Sequence, residues 1–132
     1  MPLTQEQKEL VAAAADAINR VYEKGNRYHV VGAALRAKSG AVFAGVNCDG
    51  IHGSCAEFEA MGAAKTAGER EYECIVAVAS QEKKNQIVSP CGNCRQMLFE
   101  YCPDIRVIVL DEEKQPVVKT ARELLPYPYI EL

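Results

Sequence analysis

Two short segments of the sequence carry side chains that could do chemistry together. One is Ser54-Cys55-Ala56-Glu57; the other is Ser89-Pro90-Cys91-Gly92-Asn93-Cys94-Arg95-Gln96. Ser89-Pro90 suits a helix start, because proline's missing N–H is not needed in the first turn. A C-x-x-C across that turn points Cys91 and Cys94 to one side, within reach of a single zinc ion at about 2.3 Å. Two thiolates leave a tetrahedral ion half coordinated. A third from Cys55, at another helix start, leaves one position open, which marks a catalytic rather than a structural site. Three thiolates carry net negative charge and would make water on the ion a weaker acid. Two helix N-termini offset part of it, each acting as roughly half a positive charge, and Arg95 is placed to offset more. Glu57 lies two residues past Cys55, close to the ion yet free to act. A carboxylate there can take a proton from water and later return protons to a substrate.

Blander readings exist for each of these groups. A lone C-x-x-C suits a redox pair or half of a structural zinc knot as well. A redox pair gives no reason for Cys-Ala-Glu at a second helix start. A knot needs a fourth protein ligand, for which Cys48, His52, Cys74 and Cys102 are the candidates on paper. Cys74 opens an apolar strand and reads as a small buried hydrophobe, as does Cys102 after its helix; Cys48 reads as an incidental loop thiol. His52 reads as a residue shaping a pocket mouth.

The elements that must position the two segments follow from periodicity. Thr4-Gln5-Glu6-Gln7 has the form of a capping box, and Leu10, Ala14, Ala17, Ile18 and Val21 recur at helical spacing, predicting an amphipathic helix over residues 4–24. Residues 28–36 and 41–46 read as a hairpin turning at Lys38-Ser39-Gly40, followed by a loop over residues 47–54. Small and apolar residues from Cys55 to about Ala67 predict a tightly buried helix. Residues 74–79 are apolar without alternation, as expected of a central strand covered on both faces. A helix from Cys91 to about Tyr101, strands at 105–110 and 116–119, and a helical turn over 120–125 stopped by Pro126 complete the order α-β-β-α-β-α-β-β-α. That alternation predicts one sheet sandwiched between helix layers.

Composition narrows the function classes. The 132 residues, 48% hydrophobic and 25% charged, fit an ordinary globular chain read as one domain over residues 1–132. No apolar run approaches the roughly 20 residues of a membrane span, and the N-terminal residues lack the layout of a signal peptide. Fifteen basic against eighteen acidic side chains give a net charge of −3, with no basic run to neutralise phosphates. The chain therefore reads as cytoplasmic, acting on something small, with no nucleic acid or membrane partner. In a reducing compartment its six cysteines are better read as ligands or core residues than as a disulfide framework.

Cys-Ala-Glu followed by Pro-Cys-Gly-Asn-Cys-Arg-Gln resembles the signature of the cytidine deaminase family, whose mechanism of zinc-assisted attack on the ring carbon bearing the amine is a known one. The resemblance extends to Val31-Gly32-Ala33-Ala34-Leu35, Gly45-Val46-Asn47 and Arg122-Glu123-Leu124-Leu125-Pro126. Tyr28-His29-Val30, the short loop into Cys55, and Ser89-Pro90-Cys91 bring it nearest to the blasticidin-S deaminase branch. It implies a three-layer α/β/α cytidine deaminase-like fold with a five-stranded mixed sheet, and one zinc per subunit on Cys55, Cys91 and Cys94. It further implies Glu57 as the proton shuttle, with Arg95 and Ser89 in support. Asn47 matches the family's ribose-contacting asparagine, and Asp49 stands where nucleoside deaminases carry a glutamate. His29 occupies the place of a phenylalanine that flanks the pyrimidine, and Phe58 that of an arginine which neutralises the thiolates. Ala56 and Tyr129 complete the implied substrate contacts, Tyr129 within the Tyr127-Pro128-Tyr129 segment where the family places pocket-closing aromatics. Asn47 has a blander reading as a turn former, His29 as a strand residue at a subunit contact, and the two tyrosines as tail packing. The resemblance implies a homo-oligomer, with a tetramer favoured, and the small faces of residues 60–68 would permit close approach.

The expected reaction is hydrolytic deamination of a cytosine ring in a free nucleoside, cytidine or deoxycytidine. The alternatives are a blasticidin-S or other heterocycle deaminase, a nucleic-acid editing deaminase, which the negative charge disfavours, and a non-catalytic zinc-binding module, against which Glu57 argues.

Overall fold

The computed structural model describes residues 2–25 and 30–131. Helix α1 (Gln5–Val21) starts on the expected capping box: Gln7 N donates to Thr4 Oγ1 at 3.1 Å, and Thr4 N to Gln7 Oε1 at 2.9 Å. It ends earlier than the periodicity predicts, because Tyr22 is already extended. Strands β1 (Val31–Ala37) and β2 (Val42–Val46) form the antiparallel hairpin; residues 28 and 29 of the expected strand lie outside the described residues. Helix α2 (Ala56–Thr66), strand β3 (Tyr72–Ala79), a short strand β4 (Ile87–Val88) and helix α3 (Gly92–Tyr101) follow. Strands β5 (Arg106–Leu110) and β6 (Pro116–Thr120) lead into helix α4 (Ala121–Leu124).

The main sheet has the order β2-β1-β3-β5-β6, with β3 and β5 parallel and the other neighbours antiparallel. This is the mixed five-stranded sheet that the sequence implies, enlarged by β4, which reasoning from periodicity missed. Two residues inside a polar stretch leave no periodic signal.

Why β3 reads as an unbroken apolar run is visible in its two faces. Ile75 and Ala77 pack with Ala60, Met61, Met97 and Leu98 from α2 and α3. Cys74, Val76 and Val78 pack with Leu10, Ala14 and Ile18 from α1. From Cys74 to Ala79 every residue of the central strand is buried, so none of these positions needs to be polar, while Glu73 near its start is only half-buried. Cys74 is one of these core residues.

The edge of β3 facing away from β1 is shared. Its first half pairs with β5 (Cys74↔Arg106, Ile75↔Val107) and its last with β4 (Ala77↔Val88, Val78↔Ile87). Beyond this fork lies the carboxyl end of the parallel pair, where open α/β sheets bind ligands. β4 runs antiparallel to β3, back toward this fork, and leads directly into Ser89-Pro90-Cys91. The other cysteine segment is set by a close approach. A Cβ at Gly45 of β2 would lie 2.6 Å from Ala60 N and 2.6 Å from Glu59 Cβ, so only glycine lets α2 sit this near the sheet. Gly32 plays the same part under α1, against Ala14 O. Gly45→Ala is expected to destabilise the protein by about 1–3 kcal/mol, the scale of overpacking, whereas Gly50→Ala, whose Cβ meets open space, leaves the urea midpoint nearly unchanged.

Candidate active site

Two helices of this protein begin on sulfur. Cys55 is the N-cap of α2 and Cys91 the N-cap of α3, in extended backbone, and neither makes the side-chain cap bond that Ser or Asp would make there. Such a cap contributes about 1 kcal/mol, so cysteine at both starts sacrifices helix stability for chemistry. Cys94 follows one turn into α3 and is fully buried. The three Sγ atoms lie within 4.8 Å of one another, with Cys55 Sγ 3.8 Å from Cys91 Sγ. Two thiolates on one zinc at about 2.3 Å and the tetrahedral angle stand about 3.8 Å apart. The donor set and its spacing therefore fit zinc. Among the described residues this cluster contains no fourth His, Cys, Asp or Glu, so Cys48, His52, Cys74 and Cys102 do not complete a closed knot.

The electrostatics point the same way. Burial, then the repulsion of Glu57 and the other two sulfurs, pushes the Cys94 thiol up. Burial raises Cys55 as well, with Cys91 and Glu57 adding to it. Cys91 also suffers from burial, but the backbone N–H groups of Cys94 and Asn93 and the neighbouring thiols outweigh it and bring it below the ordinary thiol value. The cluster resists holding three negative charges by itself, and a divalent cation among the sulfurs removes that resistance.

Glu57 sits in the first turn of α2, only 6% exposed. Burial holds its carboxyl above the ordinary range, against its own backbone N–H and the Cys94 thiol, which both favour the charged form. Cys55, Cys91 and Glu57 all line a cavity of about 910 Å³, while Cys94 closes the cluster from behind. The open side of the trio thus faces a space large enough for a small molecule.

The same cavity is bordered by Asn47, Asp49, Ala56 and Ser89 from the expected substrate and supporting residues, and by His52 at its rim. Asn47 has a structural duty as well as a place on the wall. Its Oδ1 accepts from Val30 N and Val31 N, each at 3.0 Å, and its Nδ2 donates to Asp49 Oδ2 at 3.1 Å. It thereby ties the start of β1 to the end of β2 and aims Asp49. Phe58 lines the wall where the resemblance would put an arginine. Val31, Val88 and Asn93 also line it; their only sequence signal was a place at a strand end or within the C-x-x-C.

Tyr129 is not among the cavity's lining residues; it is 73% exposed, with its backbone held by Gln96. Arg95 directs its hydrogen bonds to carbonyls and not to sulfur: Nε to Pro90 O at 2.8 Å and one terminal nitrogen to Leu124 O at 3.2 Å. His29 lies outside the described residues. Ala60 and Ala64, within the expected small-residue face, are buried in the chain's own core.

A family model for the cytidine and deoxycytidylate deaminase zinc-binding region matches residues 4–110. The chain belongs to this family, and with it to the zinc-dependent deaminases. Among its relatives, blasticidin-S deaminase from Bacillus cereus is 36% identical, over 96% of this chain and 94% of the relative. A cytidine deaminase from Halalkalibacterium halodurans is 36% identical over 89% of each. Among solved structures, cytidine deaminase from Burkholderia pseudomallei superposes with a TM-score of 0.74 at 30% identity, over 96% of this chain and all of that one. That from Mycobacterium leprae gives 0.75 at 26% identity, over 91% and 97%.

Elemental analysis is expected to find one zinc per chain, lost when Cys55, Cys91 or Cys94 is replaced by Ser. The bystander thiols behave differently. Burial pushes Cys74 and Cys102 up to about 11, so the folded protein keeps both almost entirely as unreactive thiols at neutral pH. Brief alkylation at pH 7.5 followed by peptide mapping is expected to label exposed Cys48 well before either.

Proposed function

We propose that the protein removes the exocyclic amine of a cytosine ring in a free nucleoside, cytidine or deoxycytidine, by hydrolysis. The observation that carries this reading is a buried carboxylate, Glu57, beside a three-sulfur cluster that opens onto one cavity. Zinc held by Cys55, Cys91 and Cys94 supplies Lewis acidity toward water there.

The chain's own residues do the proton work. Water oxygen bonds to the ring carbon bearing the amine, Glu57 takes a proton from it, and the carboxyl passes that proton to the adjacent ring nitrogen. Glu57 then takes the remaining hydroxyl proton and gives it to the departing amine. The carbon–nitrogen bond breaks, ammonia leaves, and a uracil-type carbonyl remains. One carboxyl acting as base and then as acid needs a place shielded from bulk water, and its 6% exposure provides one.

Asp49, aimed by Asn47, can accept from sugar hydroxyls, and such a site discriminates strongly against ligands without them. Ala56 and Ser89 flank the ring from the starts of the two helices. The charged side chains that line the cavity among the described residues are Asp49 and Glu57, both acids. A phosphate there meets like charge, which favours a nucleoside over a nucleotide. The net charge of −3 disfavours nucleic acid as a substrate for the same reason.

A second reading, deamination of a larger cytosine nucleoside such as blasticidin S, is favoured by two observations. The cavity lies near the upper end of the roughly 300–1,000 Å³ range of small-molecule sites. Ile51, 98% exposed on the loop that walls it, offers apolar contact beyond a bare nucleoside. A homo-oligomer, with a tetramer favoured, and a cytoplasmic setting belong to the same proposal. The exposed Tyr127, Tyr129 and Ile130 supply apolar surface for self-association, which light scattering measures.

The test is a screen for ammonia release and ultraviolet change with zinc-loaded protein on cytosine, cytidine, deoxycytidine, their monophosphates and blasticidin S. Turnover of nucleosides but not monophosphates is expected; no turnover of any cytosine ring overturns the proposal. Glu57→Gln is expected to lower kcat at least about a hundredfold, as loss of an acid–base group does, with zinc content unchanged. Unchanged activity removes Glu57 from its role.

A further inference from the structure

The C-x-x-C turn is tied to the far end of the chain by two consecutive residues of α3. Arg95 directly follows Cys94, and its Nε reaches back to the carbonyl of Pro90, the residue just before Cys91. One guanidinium therefore brackets the turn that carries two of the three sulfurs. The same guanidinium donates to Leu124 O, at the end of α4. That short helix is a firm anchor. It starts on its own capping box, Ala121 is fully buried, and Ala121 N and Arg122 N donate to Ile105 O and Pro103 O. Gln96 then clasps the segment beyond it, with Nε2 donating to Tyr129 O at 2.9 Å and Oε1 accepting from Tyr129 N at 3.0 Å. Among the described residues, the hydrogen bonds that hold residues 126–131 to the rest of the protein run through Gln96.

These contacts do not suit a simple charge-balancing role for Arg95. Two of its donors go to carbonyl oxygens, and Pro90 is buried. Removing the guanidinium leaves the carbonyl of buried Pro90 without this partner, and a buried hydrogen bond left unmade is expensive. The turn's N-cap, Cys91, makes no side-chain cap bond of the kind that Ser or Asp would make.

From this geometry we propose that the C-terminal segment, Leu124 to Tyr129, is a strap on the C-x-x-C turn. Arg95 and Gln96 are the positioning residues that hold the turn in its ion-binding shape. The proposal rests on the reading that Cys55, Cys91 and Cys94 hold the zinc, and it assigns the strap to retention of the ion, not to contact with substrate.

The test follows zinc release from the loaded protein to a chelating dye, together with the visible absorption of the cobalt(II)-substituted form. Arg95→Ala is expected to release zinc about tenfold faster or more, the scale on which outer partners of metal ligands act. Arg95→Lys separates the two roles, because it keeps the charge but an ammonium lacks the fork that reaches two carbonyls. Release from Arg95→Lys close to that from Arg95→Ala supports the strap; release restored to the wild-type rate overturns it. Gln96→Ala and a chain ending at Pro126 avoid the buried part of the site. Each is expected to speed release a few-fold and to shift the cobalt spectrum, and the two together do no more than either alone. Wild-type release from both, or effects that add, overturns the strap. Zinc content that survives replacement of all three cysteines by Ser overturns the site assignment, and the strap with it.

Discussion

Three thiol groups held within 4.8 Å of one another, one of them fully buried, repel as anions and gain little as neutral groups. The folded chain brings them together nonetheless. Burial and mutual repulsion raise Cys55 and Cys94, while the backbone N–H groups at the start of α3 hold Cys91 down. This unequal trio is at ease only around a cation. The rest of the site takes its meaning from that demand. The helix starts give up their oxygen caps, Cys94 shuts the rear of the cluster, and Cys55 and Cys91 leave the front open to a cavity where Glu57 waits.

The fold meets this demand with two features of the sheet. Gly45 lets α2 lie against β2 at a distance no side chain permits, which fixes Cys55 and Glu57. The shared edge of β3 passes from β5 to β4, and β4 leads directly into Cys91. One helix is thus set by a missing Cβ and the other by a two-residue strand. Their meeting point needs both to be accurate, because sulfurs displaced by an ångström no longer share one tetrahedral ion.

Much of this was legible in the residues. The two cysteine segments and the apolar periodicities foretold the trio, its helix starts, the covered central strand and the mixed sheet between helix layers. Local patterns carry such information well, because a C-x-x-C or an i, i+4 apolar repeat acts within one turn or a few. β4 escaped notice because it is too short to have a period. The duty of Asn47 toward Val30 and Val31, and that of Arg95 toward Pro90 and Leu124, also escaped. Their partners are backbone groups, which any residue could supply, so nothing in the spelling of the chain announces them. Tyr129 was expected at the pocket and is found clasped to the outer side of α3.

The distance along the chain between the sulfurs has a topological meaning. Cys55 and Cys91 are 36 positions apart and adjacent in space. An ion gripped by both closes a ring that encloses α2, β3, β4 and the segments between them, much as a disulfide would. By loop-closure arithmetic such a crosslink removes about 3–4 kcal/mol of freedom from the unfolded chain. The centre that serves catalysis is by the same act a rivet through the middle of the sheet, and a cell short of the metal would face a floppier protein as well as an idle one.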